Sequence, residues 1–319
     1  MRKAANIFRA LADPTRLRIV MLLRAMELSV GELAQVLGQS QPRVSRHVKI
    51  LADVGLTERR KEGSWVFLSL GEPDRLHPLL AAADAWSVGD ETARTDAARL
   101  TAVRADRAAA AERYFEGHAP VWDSIRSLHI AEAQVEDAVA GAIGEAPVSC
   151  LVDIGTGTGR MLALFGRRAD KAIGIDRSSE MLRVARARLE EAGAGATDLR
   201  QGDMYALPLP ARSADLVILH QVLHYAQAPA AAIAEAARLL EPGGRLLIVD
   251  FAPHDREELR ERDAHARLGF ADDAMLGWLR SAGLDADVCE HLEGGELTVT
   301  LWRGTRPALR NTASLAKAA

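Results

Sequence analysis

The sequence is poor in cysteine, in aromatic residues and in long apolar runs. Two cysteines in 319 residues, Cys150 and Cys289, exclude a disulfide scaffold and any cysteine-rich zinc module. Both fall in stretches that read as strands and are expected to be buried and inert. No window approaches the ~18 uninterrupted apolar residues of a membrane span. The first thirty residues offer only Ile19 to Leu23 as an apolar core, too short for a secretory leader. A soluble, cytoplasmic chain is expected. Hydrophobic residues at 48% and charged ones at 26% are what a folded globular protein contains, and the length suggests two domains at ~150 residues each.

The net charge of −4 hides an asymmetry. Residues 1–85 carry 13 Lys/Arg against 9 Asp/Glu, and the remainder 27 against 35. A basic head on an acidic body is the footprint of a nucleic-acid-binding module. The first 70 residues predict short helices and a hairpin. Asp13 caps a helix whose first turn takes Pro14, with Leu17, Ile19, Val20, Leu22 and Leu23 as its apolar face. Ser29 and Glu32 form a capping box before Leu33, Val36 and Leu37, and Gly38 ends that helix. Ser40 caps a third helix, Gln41 to about Val54, with Val44, Val48 and Leu51 inward. Two strands follow, Leu56 to Lys61 and Ser64 to Leu70, around a turn at Glu62-Gly63.

This order is a winged helix-turn-helix. The third helix would present Gln41, Arg43, Ser45, Arg46 and Lys49 to a major groove, while Arg59, Arg60 and Lys61 meet the backbone. A helical protein-interaction module with a solvated charged face is the alternative. The stretches Asp13-Pro14-Thr15-Arg16-Leu17-Arg18-Ile19, Ser40 to Leu51 and Arg59 to Phe67 resemble the ArsR family of bacterial regulators. The resemblance covers about the first 85 residues and implies an operator-binding homodimer, held partly by the first helix and by one at about Asp74 to Trp86. Many members sense metals through two cysteines before the recognition helix. Here Ser29 and Gly31 stand in that region, so no metal is expected and another signal is required.

Residues 87–111, rich in Ala, Arg, Asp and Thr, read as an exposed linker helix. Tyr114, Phe115, His118, Trp122, Ile125 and Leu128 then give an aromatic stretch, either packing or a lid. From residue 148 strands and helices alternate, as in a parallel sheet covered on both faces. Strands are predicted at Val148–Ile154, Lys171–Ile175, Leu199–Gly202, Asp215–Leu219 and Arg245–Val249. Two more are predicted at about Asp287–Leu292 and Glu296–Trp302, with helices at Met161–Arg167, Ser179–Glu191, Ala230–Leu240 and Asp272–Ala282. The expected organisation is a head over 1–86, the linker helix, an α/β domain over 112–304 and a flexible tail over 305–319.

The first loop sets the class of ligand. A dinucleotide fingerprint reads G-x-G-x-x-G. Here Gly155-Thr156-Gly157-Thr158-Gly159 brings the third glycine one residue early, and Arg160 takes the fingerprint position. Asp153, two residues before the loop, would repel a pyrophosphate and suits an ammonium group. Asp176 is placed to accept both hydroxyls of a ribose, and Asp203, with Met204 beside it, an adenine amino group. A ligand with an α-amino group, ribose and adenine but no phosphate is S-adenosylmethionine (SAM). The motifs Val152 to Gly159, Gly174-Ile175-Asp176, Gly202 to Pro208 and Leu239 to Gly244 resemble the class I SAM-dependent methyltransferases related to the ubiquinone/menaquinone methylases. That resemblance covers about residues 110–303. It implies a Rossmann-like, seven-stranded, mostly parallel sheet with SAM at the strand C-termini. The binding set is Asp153, Gly155, Thr156, Gly157, Gly159, Asp176, Arg177, Met181, Asp203, Met204 and His220.

Methyl transfer mainly needs positioning, with a base only where the acceptor must lose a proton. His224 is the base candidate, a hydrogen-bonded structural histidine the alternative, and His118 and His254 are further candidates for the acceptor side. No Asp/Asn-Pro-Pro-Tyr/Phe or Pro-Cys pair exists for DNA-base methylation, and two strand cysteines do not suit arsenite. Two functions are therefore open. One is a regulator that senses SAM or its demethylated product S-adenosylhomocysteine. The other is a small-molecule methyltransferase with the head as dimer platform or autoregulator.

Overall fold

The computed structural model describes residues 2–62, 65–71, 73–86, 89–118, 132–194, 197–293 and 295–308. The chain divides into two units, Met1–Ala110 with Asp255–Glu257, and Ala111–His254 with Glu258–Ala319.

In the first unit α1 (Arg2–Leu11) precedes α2 (Pro14–Ala25). Asp13 caps α2 by accepting from the Arg16 N–H at 3.0 Å, and Pro14 needs no donor partner at that position. The strand β1 (Leu28–Ser29) runs into α3 (Val30–Leu37), where both bonds of the Ser29–Glu32 capping box form. Gly38 closes α3 at φ +64°, a left-handed conformation that glycine adopts without strain. The helix α4 (Gln41–Asp53) starts after Ser40, whose side chain makes no capping bond, contrary to expectation. Its Val44, Val48 and Leu51 form the inward stripe. The strands β2 (Thr57–Glu62) and β3 (Trp65–Leu70) pair antiparallel from Thr57↔Leu70 to Glu62↔Trp65, and β1 adds to β3, giving the order β1-β3-β2. The expected turn glycine, Gly63, lies outside the described residues.

Next come α5 (Pro73–Trp86) and α6 (Glu91–His118). The exposed linker helix expected over 87–111 needs correcting. Leu100 and Val103 of α6 are buried in the same cluster as Ile19, Val36, Val48 and Leu80. Asp96, 5% exposed, takes two 2.6 Å bonds from Arg18, and Arg99 donates to the Val36 carbonyl at 3.0 Å. Two apolar side chains and one carboxylate are enough to seat the helix, too faint a pattern to stand out from an Ala/Arg-rich background. Of the aromatic stretch, Trp122, Ile125 and Leu128 lie outside the described residues, as do the side chains of Tyr114, Phe115 and His118.

The second unit holds α7 (Glu132–Ile143) and a seven-stranded sheet. Its strands are β4 (Val148–Ile154), β5 (Ala169–Asp176), β6 (Asp198–Gln201), β7 (Ala214–His220), β8 (Leu240–Phe251), β9 (Asp285–Leu292) and β10 (Val299–Thr305). The order is β6-β5-β4-β7-β8-β10-β9, with β4 through β8 parallel and β10 antiparallel to both neighbours. The helices α8 (Arg160–Phe165), α9 (Ser179–Glu191), α10 (Pro229–Leu239), α11 (Glu258–Arg262) and α12 (Asp272–Ser281) connect them. Side chains alternate between the faces of the sheet. Val217, Leu219, Leu246 and Ile248 join one core with Ile233 of α10 and the fully buried Trp302. Leu216, Ile218, Leu247 and Val249 join the other, with Val139 of α7 and Leu162 of α8. The last strand runs three residues later than the predicted Glu296–Trp302, and β8 begins five residues before Arg245. Cys150 and Cys289 are half-buried rather than buried, and partial burial pushes both thiols above their usual pKa.

Candidate functional site

Two surfaces gather the expected residues. On α4 the buried stripe forces the other faces outward, so Gln41, Arg43, Arg46 and Lys49 are exposed and Ser45 half-exposed. Arg59 of β2 is exposed as well. The side chains of Arg60 and Lys61 lie outside the described residues. Where a thiolate sensor would need Cys, Ser29 spends its side chain on the α3 cap.

The second surface follows from strand order. From β4 the chain moves outward through β5 and β6, then returns to the other flank of β4 with β7 and β8. The C-terminal ends of β4 and β7 therefore border the crevice where open α/β sheets bind ligands. Asp153 stands there, 1% exposed, with its Oδ2 accepting from the Thr156 hydroxyl at 2.6 Å. The loop turns sharply because the Gly155 and Thr156 N–H groups both donate to the Ile175 carbonyl, at 2.7 and 3.0 Å. Gly155 has φ +69°, and a side chain there would collide with Val222. This close approach seats the segment after β7 against the loop.

Asp176 ends β5. Its Oδ2 accepts from the Gly157 N–H and its Oδ1 from the Ser178 N–H, each at 2.8 Å. Desolvation raises its carboxyl above the usual range, against the pull of the Ser178, Gly157 and Arg177 N–H groups. The Gly202 N–H donates to the Asp176 carbonyl at 3.0 Å, which brings the next residue, Asp203, beside the same strand end. Asp203 is exposed and accepts from the Tyr205 N–H at 3.0 Å, while Met204 packs half-buried on the core. Arg177 is exposed; Met181, 1% exposed, belongs to the core of α9. Arg160, at the fingerprint position, is held by Glu136 through 2.7 and 3.0 Å bonds. The carboxylates outnumber the cations around this loop.

His220 ends β7 one residue past the Ile154↔Leu219 pair and is 9% exposed. His224 lies in a 3-10 turn, Leu223–Tyr225, 2% exposed, with Nδ1 2.8 Å from Asp250 Oδ1. The rings of His265 and Phe251 lie tilted against it, and His254 is half-buried near Phe251. Sequence reasoning missed Asp250, His265 and Tyr205. Asp250 carried a usable signal: like Asp153 and Asp176, it is a carboxylate at the end of an apolar strand. Tyr205 carried none. Its hydroxyl accepts from the Gln227 and Ala228 N–H groups at 2.8 and 3.2 Å, a contact between segments far apart in sequence.

Residues 13–58 match the arsR family of bacterial regulatory proteins, and residues 152–248 match a methyltransferase domain. The arsenical resistance operon repressor of Escherichia coli is 41% identical over 101 residues, 31% of this chain and 79% of that protein. An uncharacterized HTH-type transcriptional regulator of Methanocaldococcus jannaschii is 39% identical over 83 residues, 26% of this chain and 92% of that protein. The uncharacterized methyltransferase YcgJ of Bacillus subtilis is 34% identical over 106 residues, 33% of this chain. Only 42% of that methyltransferase is spanned. One chain of the solved complex between the Haloferax volcanii Trm112 methyltransferase activator and the putative methyltransferase shares the fold, with a TM-score of 0.50 at 22% identity over 60% of this chain and 97% of that one. Fold and family matches together define an ArsR-type regulatory head and a methyltransferase domain. The chain belongs to the ArsR family of bacterial regulators, with the methyltransferase domain as its second half. No helix among the described residues is long and apolar enough to cross a membrane.

Proposed function

We propose that the protein is a homodimeric operator-binding regulator whose methyltransferase domain binds SAM or S-adenosylhomocysteine and uses that occupancy as its signal. The carrying observation is the Asp176 carboxylate, bridging the Gly157 and Ser178 N–H groups beside a loop whose neighbouring arginine is tied to Glu136. A pyrophosphate would meet carboxylates there and no uncommitted guanidinium from Arg160. An ammonium group suits Asp153, ribose hydroxyls suit Asp176, and an adenine suits Asp203 and Met204, with Gly155, Thr156, Gly157, Gly159, Arg177, Met181 and His220 around them. When bound, SAM supplies an electrophilic methyl group on a sulfonium.

The exposed α4 side chains Gln41, Arg43, Ser45, Arg46 and Lys49, with Arg59, Arg60 and Lys61 of the hairpin, would read and hold the operator. The nucleoside acts as a signal if it binds two dimer states unequally, and coupling of ~1–3 kcal/mol is enough. Calorimetric titration with each nucleoside, followed by binding to the DNA upstream of its own gene in each state, tests the reading. Expected are saturable binding of at least one nucleoside, its loss in Asp176→Ala, and an operator affinity changed ~5–150-fold. Ribose hydroxyls need the ionised carboxylate, so affinity falls on acidification, beginning above the ordinary aspartate value of about 3.9. Absence of heat with either nucleoside, or an unchanged operator affinity, refutes the corresponding half.

A further inference from the structure

The helix α6 is held on the head by more than its apolar residues. Asp96, Leu100 and Val103 are buried in one stripe along it, which is its seat. The polar contacts beside that stripe go to the two elements that flank α4. Arg99 donates to the Val36 carbonyl at 3.0 Å, in the last turn of α3, where carbonyls lack partners within the helix. A cation there also suits the negative end of the helix dipole. The approach is close, since a side chain at Gly38 would lie 3.1 Å from Arg99 Nη1. The turn that Arg99 caps leads into α4, and within it Gln39 donates to the Thr15 hydroxyl of α2 at 3.2 Å. Asp96 accepts two 2.6 Å bonds from Arg18 of α2, and α2 meets α4 where Asp13 lies 3.7 Å from His47. An apolar stripe tolerates small slides of a helix. A carboxylate that is 5% exposed does not, because leaving it buried without its guanidinium is costly. The seat of α6 is therefore discrete. The helix continues past that seat to His118, and the division between the two units falls within it, after Ala110.

We propose that α6 is the coupling element of the protein: nucleoside occupancy reaches the operator-binding surface through the seating of α6, with Arg99 as the contact that passes it to α4. The proposal rests on the reading of the crevice as a SAM or S-adenosylhomocysteine site whose occupancy is the signal. Coupling between sites needs an element with two arrangements that both ligands bias. In one arrangement of α6, Arg99 is bonded to Val36 and Asp96 to Arg18. In the other both bonds are broken together, because the two side chains lie three residues apart on one face of the same helix. Without its cap the end of α3 loosens, and with it the turn that sets how α4 presents the exposed Arg43 and Arg46. A helix docked only for stability needs the buried stripe. It does not need a guanidinium spent on the one turn that aims α4.

The test uses the full chain, SAM, S-adenosylhomocysteine and the DNA upstream of its own gene. Operator affinity is measured with and without each nucleoside, and nucleoside affinity with and without the DNA. Linkage requires the two ratios to be equal, and the wild type should show ~5–150-fold in both. Two variants break the proposed route at different points. Arg99→Met removes the cap on α3 and keeps the aliphatic stem. The triple change Ala108→Gly, Ala109→Gly and Ala110→Gly softens α6 beyond its seat, at about 1 kcal/mol of helix propensity for each residue. Both should bind the nucleoside alone as the wild type does, which also reports that the second unit is folded, while both ratios fall to within about twofold of one. Hydrogen exchange on the wild type needs no variant: the nucleoside should change exchange at residues 34–40 and 96–103 together. A wild-type ratio in either variant overturns the proposal and leaves the signalling reading standing. So does a wild type whose operator affinity shifts with no change in exchange at those segments. A wild type that binds neither nucleoside, or binds one with no shift in operator affinity, overturns the signalling reading and this inference with it.

Discussion

At the scale of single residues, small polar side chains decide where helices begin. Burial alone would raise the Asp13 carboxyl, but the Arg16 N–H, the Arg16 guanidinium and His47 outweigh it and hold it below the usual value. A carboxyl lowered in the folded state stabilises above its unfolded pKa, and that contribution is lost as pH falls through the folded value. Asp13→Ala should therefore cost about 1 kcal/mol near pH 7, with the difference shrinking below about pH 3.9. Urea unfolding of both proteins at several pH values checks this; a difference that stays constant into acid refutes the assignment. Ser29 shows the same economy, since its hydroxyl and the Glu32 side chain satisfy two N–H groups at the start of α3.

At the scale of elements, contacts distant in sequence position what local propensity creates. The helix α6 docks on the head through Leu100, Val103 and the Arg18–Asp96 pair. Asp96 is nearly buried while the Arg18 side chain is 24% exposed, so the pair sits between the exposed and buried limits. Asp96→Ala should destabilise the head by about 2 kcal/mol, measurable by denaturant unfolding. A loss within about 0.5 kcal/mol, typical of surface substitutions, means that the helix is held by its apolar contacts alone. In the second unit, α10 holds the loop after β6. Glu235 accepts from the Leu207 N–H at 2.8 Å, and Arg238 donates to the Leu209 and Leu207 carbonyls at 3.0 and 3.3 Å. The expected adenine side of the crevice is thus fixed from a helix some thirty residues further along the chain.

At the scale of the whole molecule, each unit has its own hydrophobic core. The head's core is closed by α6, so a fragment of residues 1–110 should unfold cooperatively. One of residues 1–86 should melt at a lower temperature, because it leaves the sites of Leu100 and Val103 open. Circular dichroism melts of the two fragments decide it, and equal midpoints refute a structural role for α6. In the full chain, SAM should raise the melting temperature with concentration as RT ln(1 + [L]/Kd) requires.

The sequence by itself determined the winged helix, the alternating α/β order and the tight glycine turn after the first strand of the large sheet. Each is written in local terms: caps at Asp13 and Ser29, an inward stripe at Val44, Val48 and Leu51, and glycines spaced too closely for a dinucleotide. Aspartates at strand ends were legible for the same reason, because a charge closing an apolar run is out of place unless something uses it. Only the tertiary structure decided that α6 belongs to the head, that Arg160 is tied to Glu136 and that His224 has Asp250 as its partner. These are pairings of side chains between 24 and 78 residues apart. No local pattern encodes them, because the free energy that selects such partners comes from burying them together once the sheet and helices have already met.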